Sequence, residues 1–162
     1  MSPKPEVPLR IRNYKTSDKT EVLALHKLAL QSTGAWIDSG RWDEDLDHIG
    51  EVYLKGGAFL IGEAGGRIVA MGALRRVSYG TGEIKRMRVH PDFQRKGYGQ
   101  LLLTLLEERA KELGFKKLIL DTTMKQTGSQ VLYLKNGYTE VRREHIKTAN
   151  IDTDLIYYEK NL

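Results

Sequence analysis

Residues 94–100, Gln94-Arg95-Lys96-Gly97-Tyr98-Gly99-Gln100, set two cations and two glycines immediately ahead of a leucine-rich stretch. The chemistry this pattern suits is anion binding. A loop that delivers the chain into a helix exposes the helix's first backbone N–H groups, which carry the positive end of its dipole. Gly97 and Gly99 remove the side chains that would hold a diphosphate away from those donors, and Arg95 and Lys96 supply neutralising charge. Neither common phosphate loop is present: GxxxxGK[ST] is absent, and Leu102 stands where the third glycine of GxGxxG belongs. The competing reading is a glycine-containing helix start with a solvated basic face.

The rest of the composition narrows what such a loop can serve. A chain of 162 residues with 40% hydrophobic and 29% charged residues is long enough for one full core and has no apolar run of bilayer-crossing length. Residues 1–8 are expected to be a flexible leader without secretory character, and residues 9–162 one cytoplasmic domain. With no cysteine there is no thiolate nucleophile and no Cys-based zinc site. His26, His48, His90 and His145 lack ligand spacing, so no metal is expected. The net charge of +5 suggests an anionic partner, and it is unevenly spread: cations gather at Lys85, Arg86, Arg88, Arg95 and Lys96, carboxylates at Asp38, Asp43, Glu44, Asp45, Asp47 and Glu51.

The elements that must position the loop follow from periodicity. "LRIRNY" alternates as a short strand, and Asp18 with Glu21 has the spacing of a capping box ahead of a helix through "EVLALHKLAL" that Gly34 ends. "RWDEDLDHIGEVYL" predicts a shorter helix, its acids favouring the helix start. "AFLIGEA" and "RIVAMGALRRV" form a hairpin about Gly65-Gly66, and "SYGTG" turns into a strand from about Glu83 to Val89. In that strand Ile84 lies on one parity and Met87 and Val89 on the other, which predicts a bulge between them. Leu101, Leu102, Leu105 and Leu106 recur at helical spacing before a polar end at Glu107 to Glu112. "KKLILDTT" reads as a buried strand, "GSQVLYLKNGY" as a short helix, and "YTEVRREHI" and "DTDLIYYEKNL" as two further strands. The fold class is mixed α/β with a strand-loop-helix-strand centre.

At this point the segment "EIKRMRVHPDFQRKGYGQLLLTLLEERAKELGFKKLIL" resembles the acetyl-CoA motif of the GNAT superfamily of N-acetyltransferases, whose loop pattern [QR]-x-x-G-x-[GA] is matched by Gln94, Gly97 and Gly99. "VLYLKNGY" resembles that family's tyrosine-bearing helix. The resemblance implies a twisted, mostly antiparallel sheet splayed around acetyl-CoA and flanked by about four helices. It implies that pantetheine lies along Met87, Arg88 and Val89 and diphosphate on Gln94 to Gln100, including Tyr98. It further implies that Tyr133 protonates the departing thiolate, with core packing as the alternative, and that Glu83 accepts the amine's proton, with a strand-end acid as the alternative. Where many relatives carry Asn and Ala ahead of that tyrosine, this chain has Gln126 and Ser129 as the corresponding cofactor contacts.

The function so implied is direct transfer of acetyl from acetyl-CoA to a primary amine on a small molecule, peptide or protein, since no cysteine can carry an acyl group. The alternatives are a catalytically silent acyl-CoA sensor of the same fold and a basic nucleic-acid-binding module, the latter lacking interleaved aromatics. The acidic run from Asp38 to Glu51 leads to the expectation of a cationic acceptor. Trp36 and Trp42 flank it as acceptor-side residues or packing anchors. The resemblance also makes a homodimer plausible.

Overall fold

The computed structural model describes residues 8–38 and 42–162, so the expected leader lies outside it except for Pro8. Seven strands form one sheet in the order β1-β2-β3-β4-β5-β7-β6, comprising β1 Arg10–Asn13, β2 Ala58–Ala64, β3 Arg67–Ser78, β4 Thr81–Val89, β5 Lys117–Thr123, β6 Thr139–Lys147 and β7 Asp152–Asn161. All neighbours pair antiparallel except β4 and β5, which are joined through the crossover helix α3, Tyr98–Glu112. The other helices are α1 Lys19–Thr33, the single turn α2 Ile49–Val52, and α4 Thr127–Lys135.

The two sheet faces carry separate cores. On one, Val22 and Leu25 of α1, with Leu46, Ile49 and Tyr53, cover Phe59, Ile61, Met71 and Ala73. On the other, Leu102, Leu103, Leu106 and Ala110 of α3 cover Ala70, Leu74, Ile84, Met87 and Leu118. The buried stripe of α3 is thus turned from the leucines expected: Leu101 is exposed and Leu103 buried. Glu107, expected in a polar end, is buried as well, receiving Lys160 Nζ at 2.7 Å and Tyr138 OH at 3.4 Å. Those two donors, reaching in from β7 and the loop after α4, make its burial tolerable.

Two local expectations are corrected. A 3₁₀ turn, Thr16–Asp18, precedes α1, and Asp18 folds back to accept Lys15 N–H and both arms of Arg12 instead of capping α1. Glu21 accepts Ile68 N–H and so makes no capping box with it. The segment before β2 is a 3₁₀ turn, Glu44–Asp47, followed by the one-turn α2, rather than one helix. Its acids face another partner, Arg86.

The expected bulge is present and governs β4. Residues Lys85 and Arg88 pair with Ala73 and Met71, so Arg86 and Met87 together oppose Gly72. Arg86 adopts φ 59°, the left-handed region that L residues other than Gly, Asn and Asp seldom enter. A Cβ on Gly72 would lie 2.6 Å from Met87 Sδ, so glycine is what lets the bulged Met87 fold into the core.

The unfavourable backbone is offset by the side chain. Arg86 donates through Nε to Asp45 Oδ2 (2.9 Å), through Nη1 to Asp43 Oδ1 (3.2 Å), and through Nη2 to Trp42 O (2.6 Å) and Asp45 Oδ1. Tyr53 OH also donates to Asp45. Burial works against the Arg86 charge, but Asp45 and Asp43 outweigh it and its pKa is raised. Removing one member of such a buried network strands the others.

Arg86→Ala is therefore expected to lower stability by about 3 kcal/mol in denaturant unfolding. Arg86→Gly, which relieves the left-handed strain, should recover about 1 kcal/mol of that loss. Wild-type stability in both would show that the network does not hold the bulge.

Candidate functional site

β4 and β5 part just ahead of the bulge. Their parallel pairing covers only Thr81–Glu83 against Lys117–Ile119, and among the described residues no strand pairs with that edge of β4 from Ile84 onward. His90 N–H turns to Val69 O of β3 at 2.7 Å, so by strand alternation the backbones of Val89 and Met87 turn toward the open edge. There Met87 O accepts Arg88 Nη1 (2.8 Å) and Val89 O accepts Gln94 Nε2 (3.3 Å). A cleft of about 300 Å³ fills the gap, lined by Lys85, Arg86, Met87 and Arg88 from β4 and by Asp121, Thr122 and Thr123 from β5. Tyr133 and Gln126 close one end, and Trp42 and Tyr157 contribute aromatic wall.

The loop from Gln94 reaches α3 through two left-handed residues, Arg95 (φ 61°) and Gly97 (φ 81°). Gly97 is the N-cap of α3 without a side-chain cap, and the first intrahelical bond is Leu101 N–H to Gly97 O. The preceding helix donors therefore have no acceptor within the helix. A Cβ at Gly97 would meet nothing within 4 Å, so the space beside the helix start is an open cradle. Arg95 and Lys96 are exposed beside it, and Tyr98 and Gly99 are half-buried. Gln100 spends its side chain elsewhere, exchanging two 2.8 Å amide bonds with Asn136 and so tying α3 to the end of α4.

Each titratable group is tuned by its surroundings. Tyr133 is 5% exposed, packs edge-on to Tyr138, and has its pKa pushed up to about 12 by burial, against the influence of Arg88. Its hydroxyl is consequently protonated across the neutral range. Glu83 is buried, but its carboxylate accepts Arg75 Nε at 2.6 Å, and it is not among the residues lining the cleft. Asp121 does line it. Solvent reaches Asp121 through the cleft, yet protein enclosing it, and then Glu83, raise its pKa above the ordinary carboxylate range.

Asp121 is a residue the sequence reading missed. Its signal was the one charge interrupting the apolar run of "KLILDTT", which we read simply as a buried strand. Gln130 was also missed: its Nε2 donates to Thr123 O and Met124 O, pinning the end of β5 to α4. Gln126 Oε1 accepts Thr123 N–H and Oγ1–H, while Ser129 is half-buried on α4 and does not line the cleft. His26 lies beneath the β4 wall, donating from Nε2 to Asp43 at 2.8 Å and accepting Arg88 Nε–H at Nδ1. Burial lowers its pKa against the pull of Asp43, keeping it neutral in this arrangement.

The site has the features a long phosphorylated thioester needs. It offers an unpaired strand edge, an open helix start beside cations, and the orphaned Thr122 Oγ1, the single buried side-chain polar atom among the described residues without a partner. Comparison with known proteins identifies the family. The profile of the Acetyltransferase (GNAT) family matches residues 22–138. An IAA acetyltransferase of Azospirillum brasilense is 34% identical over 83 residues, which span 51% of this chain and 54% of that enzyme, about half its length. The uncharacterized N-acetyltransferase YjgM of Escherichia coli is 24% identical over 93% of each chain. A GNAT-family acetyltransferase structure from Staphylococcus aureus superposes with TM-score 0.82 at 25% identity, covering 95% of this chain and 99% of that one. The yncA structure from Salmonella typhimurium, solved with acetyl-CoA, superposes at 0.77 and 20% identity, covering 94% and 93% of the two chains. The chain belongs to the GNAT family of acetyltransferases.

Proposed function

We propose that this protein transfers the acetyl group of acetyl-CoA directly to a primary amine. The observation that carries the reading is the parting of β4 from β5 after Glu83, just ahead of the Arg86 bulge, which opens a cleft lined by Met87, Arg88 and Tyr133. When bound, acetyl-CoA supplies an activated acyl group on a thiol leaving group. Gly97, Gly99, Arg95 and Lys96 would hold its diphosphate, and the edge at Met87 and Val89 its extended arm, with Thr122 Oγ1 as a further polar contact.

The chain's own residues then manage protons. An alkylamine with a pKa near 10.4 is mostly protonated at neutral pH and must lose a proton before it can attack. Asp121 Oδ, with a raised pKa and open to the cleft, accepts it better than Glu83, whose carboxylate is committed to Arg75. Glu83 contributes by keeping Asp121 basic and as a second acceptor through water. Tyr133 OH, protonated in the neutral range, donates to the departing sulfur. The expectation of a cationic acceptor loses part of its footing. Asp43 and Asp45 are occupied by Arg86 and His26, and Asp47 lies 3.6 Å from Lys19, so three of the segment's six carboxylates are already paired.

Two experiments test this reading. Gly97→Ala should weaken acetyl-CoA binding at least about tenfold in calorimetry, because it strains the left-handed N-cap and fills the cradle. Gly114→Ala, at φ +84° and in equally open space past the other end of α3, carries the same strain but should leave affinity intact. Equal affinity in both variants would move the diphosphate elsewhere.

Asp121→Asn and Tyr133→Phe should each lower turnover by about 10² to 10⁴-fold with acetyl-CoA affinity retained. In wild type kcat/KM should fall with decreasing pH as the Asp121 carboxylate protonates, at a pH above the ordinary aspartate range. Asp121→Asn should remove that acid limb, and an unchanged limb would assign the base to another group.

A further inference from the structure

One wall of the cleft carries a cation that makes no ion pair with a carboxylate among the described residues. Arg88 donates through Nη1 to Met87 O (2.8 Å) and through Nε to His26 Nδ1 (3.3 Å). Both partners are neutral, its Nη2 makes no hydrogen bond to the described residues, and no carboxylate among them lies within 4.0 Å. Arg86, two residues earlier, shows the contrast, since it takes up both Asp43 and Asp45. Lys85, also on the wall, likewise has no described carboxylate within that distance. Burial, and then the like charge of Arg86, push the Arg88 pKa down to about 10, which still leaves it cationic at neutral pH.

A guanidinium held partly out of water without an anion is costly, and such groups are ordinarily paired. The chain has the acids to pair it. Asp43 is turned to His26 and Arg86 instead, and Asp121, although near enough to favour the Arg88 charge, makes no ion pair with it. His26 meanwhile takes up the Nε–H and Met87 O one Nη1–H, which leaves Nη2 without a described partner. Arg88 also lies on the α1 face with His26, opposite the α3 helix that bears the diphosphate cradle, so its anion is not the diphosphate.

Resting on the acetyl-transfer reading above, we infer that the acceptor is a small amino carboxylic acid whose carboxylate pairs with Arg88. Its amino group lies toward Asp121 and its apolar portion against Trp42 and Tyr157. A carboxylate supplies the missing anion and accepts the unused guanidinium hydrogens in the planar geometry that arginine favours. Lys85 strengthens the field without being needed for the pairing. An acceptor of this kind is a zwitterion, so a cleft with Asp121 at one side and Arg88 at the other suits both of its charges.

The test measures thiol release from acetyl-CoA with a panel of L-amino acids and their carboxamides, matched in side chain, in wild type, Arg88→Gln and Arg88→Lys. Wild type should prefer the carboxylates by about 100-fold in kcat/KM. Arg88→Gln should erase the preference mainly through KM of the carboxylates, and Arg88→Lys should keep part of it. Equal use of carboxylates and carboxamides by wild type overturns the inference while leaving acetyl transfer standing. A Gln variant that loses the same factor on both classes also overturns it, assigning Arg88 to the transfer itself. If neither class releases thiol the inference fails, and acetyl-CoA calorimetry with polyamines and peptide amino termini then decides separately whether acetyl transfer fails with it.

Discussion

The cleft between β4 and β5 is built around a single residue held in an unfavourable backbone conformation, Arg86 at φ 59°. One extra residue in β4 shifts every later side chain to the other parity, in the stretch of the strand that β5 no longer pairs. Left to its intrinsic preferences the chain would resist this, because a left-handed L residue costs about 1 to 2 kcal/mol. The fork of Arg86 on Asp45, Asp43 and the carbonyl of Trp42 supplies the compensation. Gly72 supplies the space opposite. Strain in the backbone and charge pairing in the side chain are thus two halves of one device, set in the stretch of β4 whose edge is open.

That device also sorts the charges of the cleft. By drawing Asp43 and Asp45 toward itself, Arg86 removes the acids that would otherwise quench its neighbours, and His26 reinforces the arrangement by holding Asp43. What remains in the cleft is a carboxyl with a raised pKa, Asp121, and a cation without a counter-ion, Arg88. Groups left unpaired in a partly desolvated cleft are those whose partners arrive with a ligand. The same logic applies to Thr122 Oγ1, orphaned at the β5 wall.

Much of this was legible in the sequence, for local reasons. The Gly65-Gly66 hairpin, the helix start at Gly97 and the broken parity of Ile84 against Met87 are all short-range signals, and the structure contains all three elements. Other features depend on contacts far apart in the chain. That Glu107 would be buried turns on Lys160 and Tyr138, and that Asp18 would abandon its cap turns on Arg12. The acids from Asp43 to Asp47 read as helix-start or steering charges because nothing local reveals that Arg86, some forty residues on, reaches back to them. Asp121 was overlooked for a related reason: a single charge in an apolar strand becomes meaningful only once the neighbouring strand is known to have moved away.

Among the described residues the β4 backbone at Met87 and Val89 has no strand partner on its open edge, where a cofactor arm would take that place. Residue-resolved amide hydrogen exchange measures this directly, in free protein and with CoA added. The Met87 and Val89 amides should exchange quickly in the free protein and be strongly protected by CoA, while that of Arg88, turned toward β3, should be slow in both. Slow exchange at Met87 and Val89 in the free protein, or exchange that CoA does not change, would contradict this arrangement.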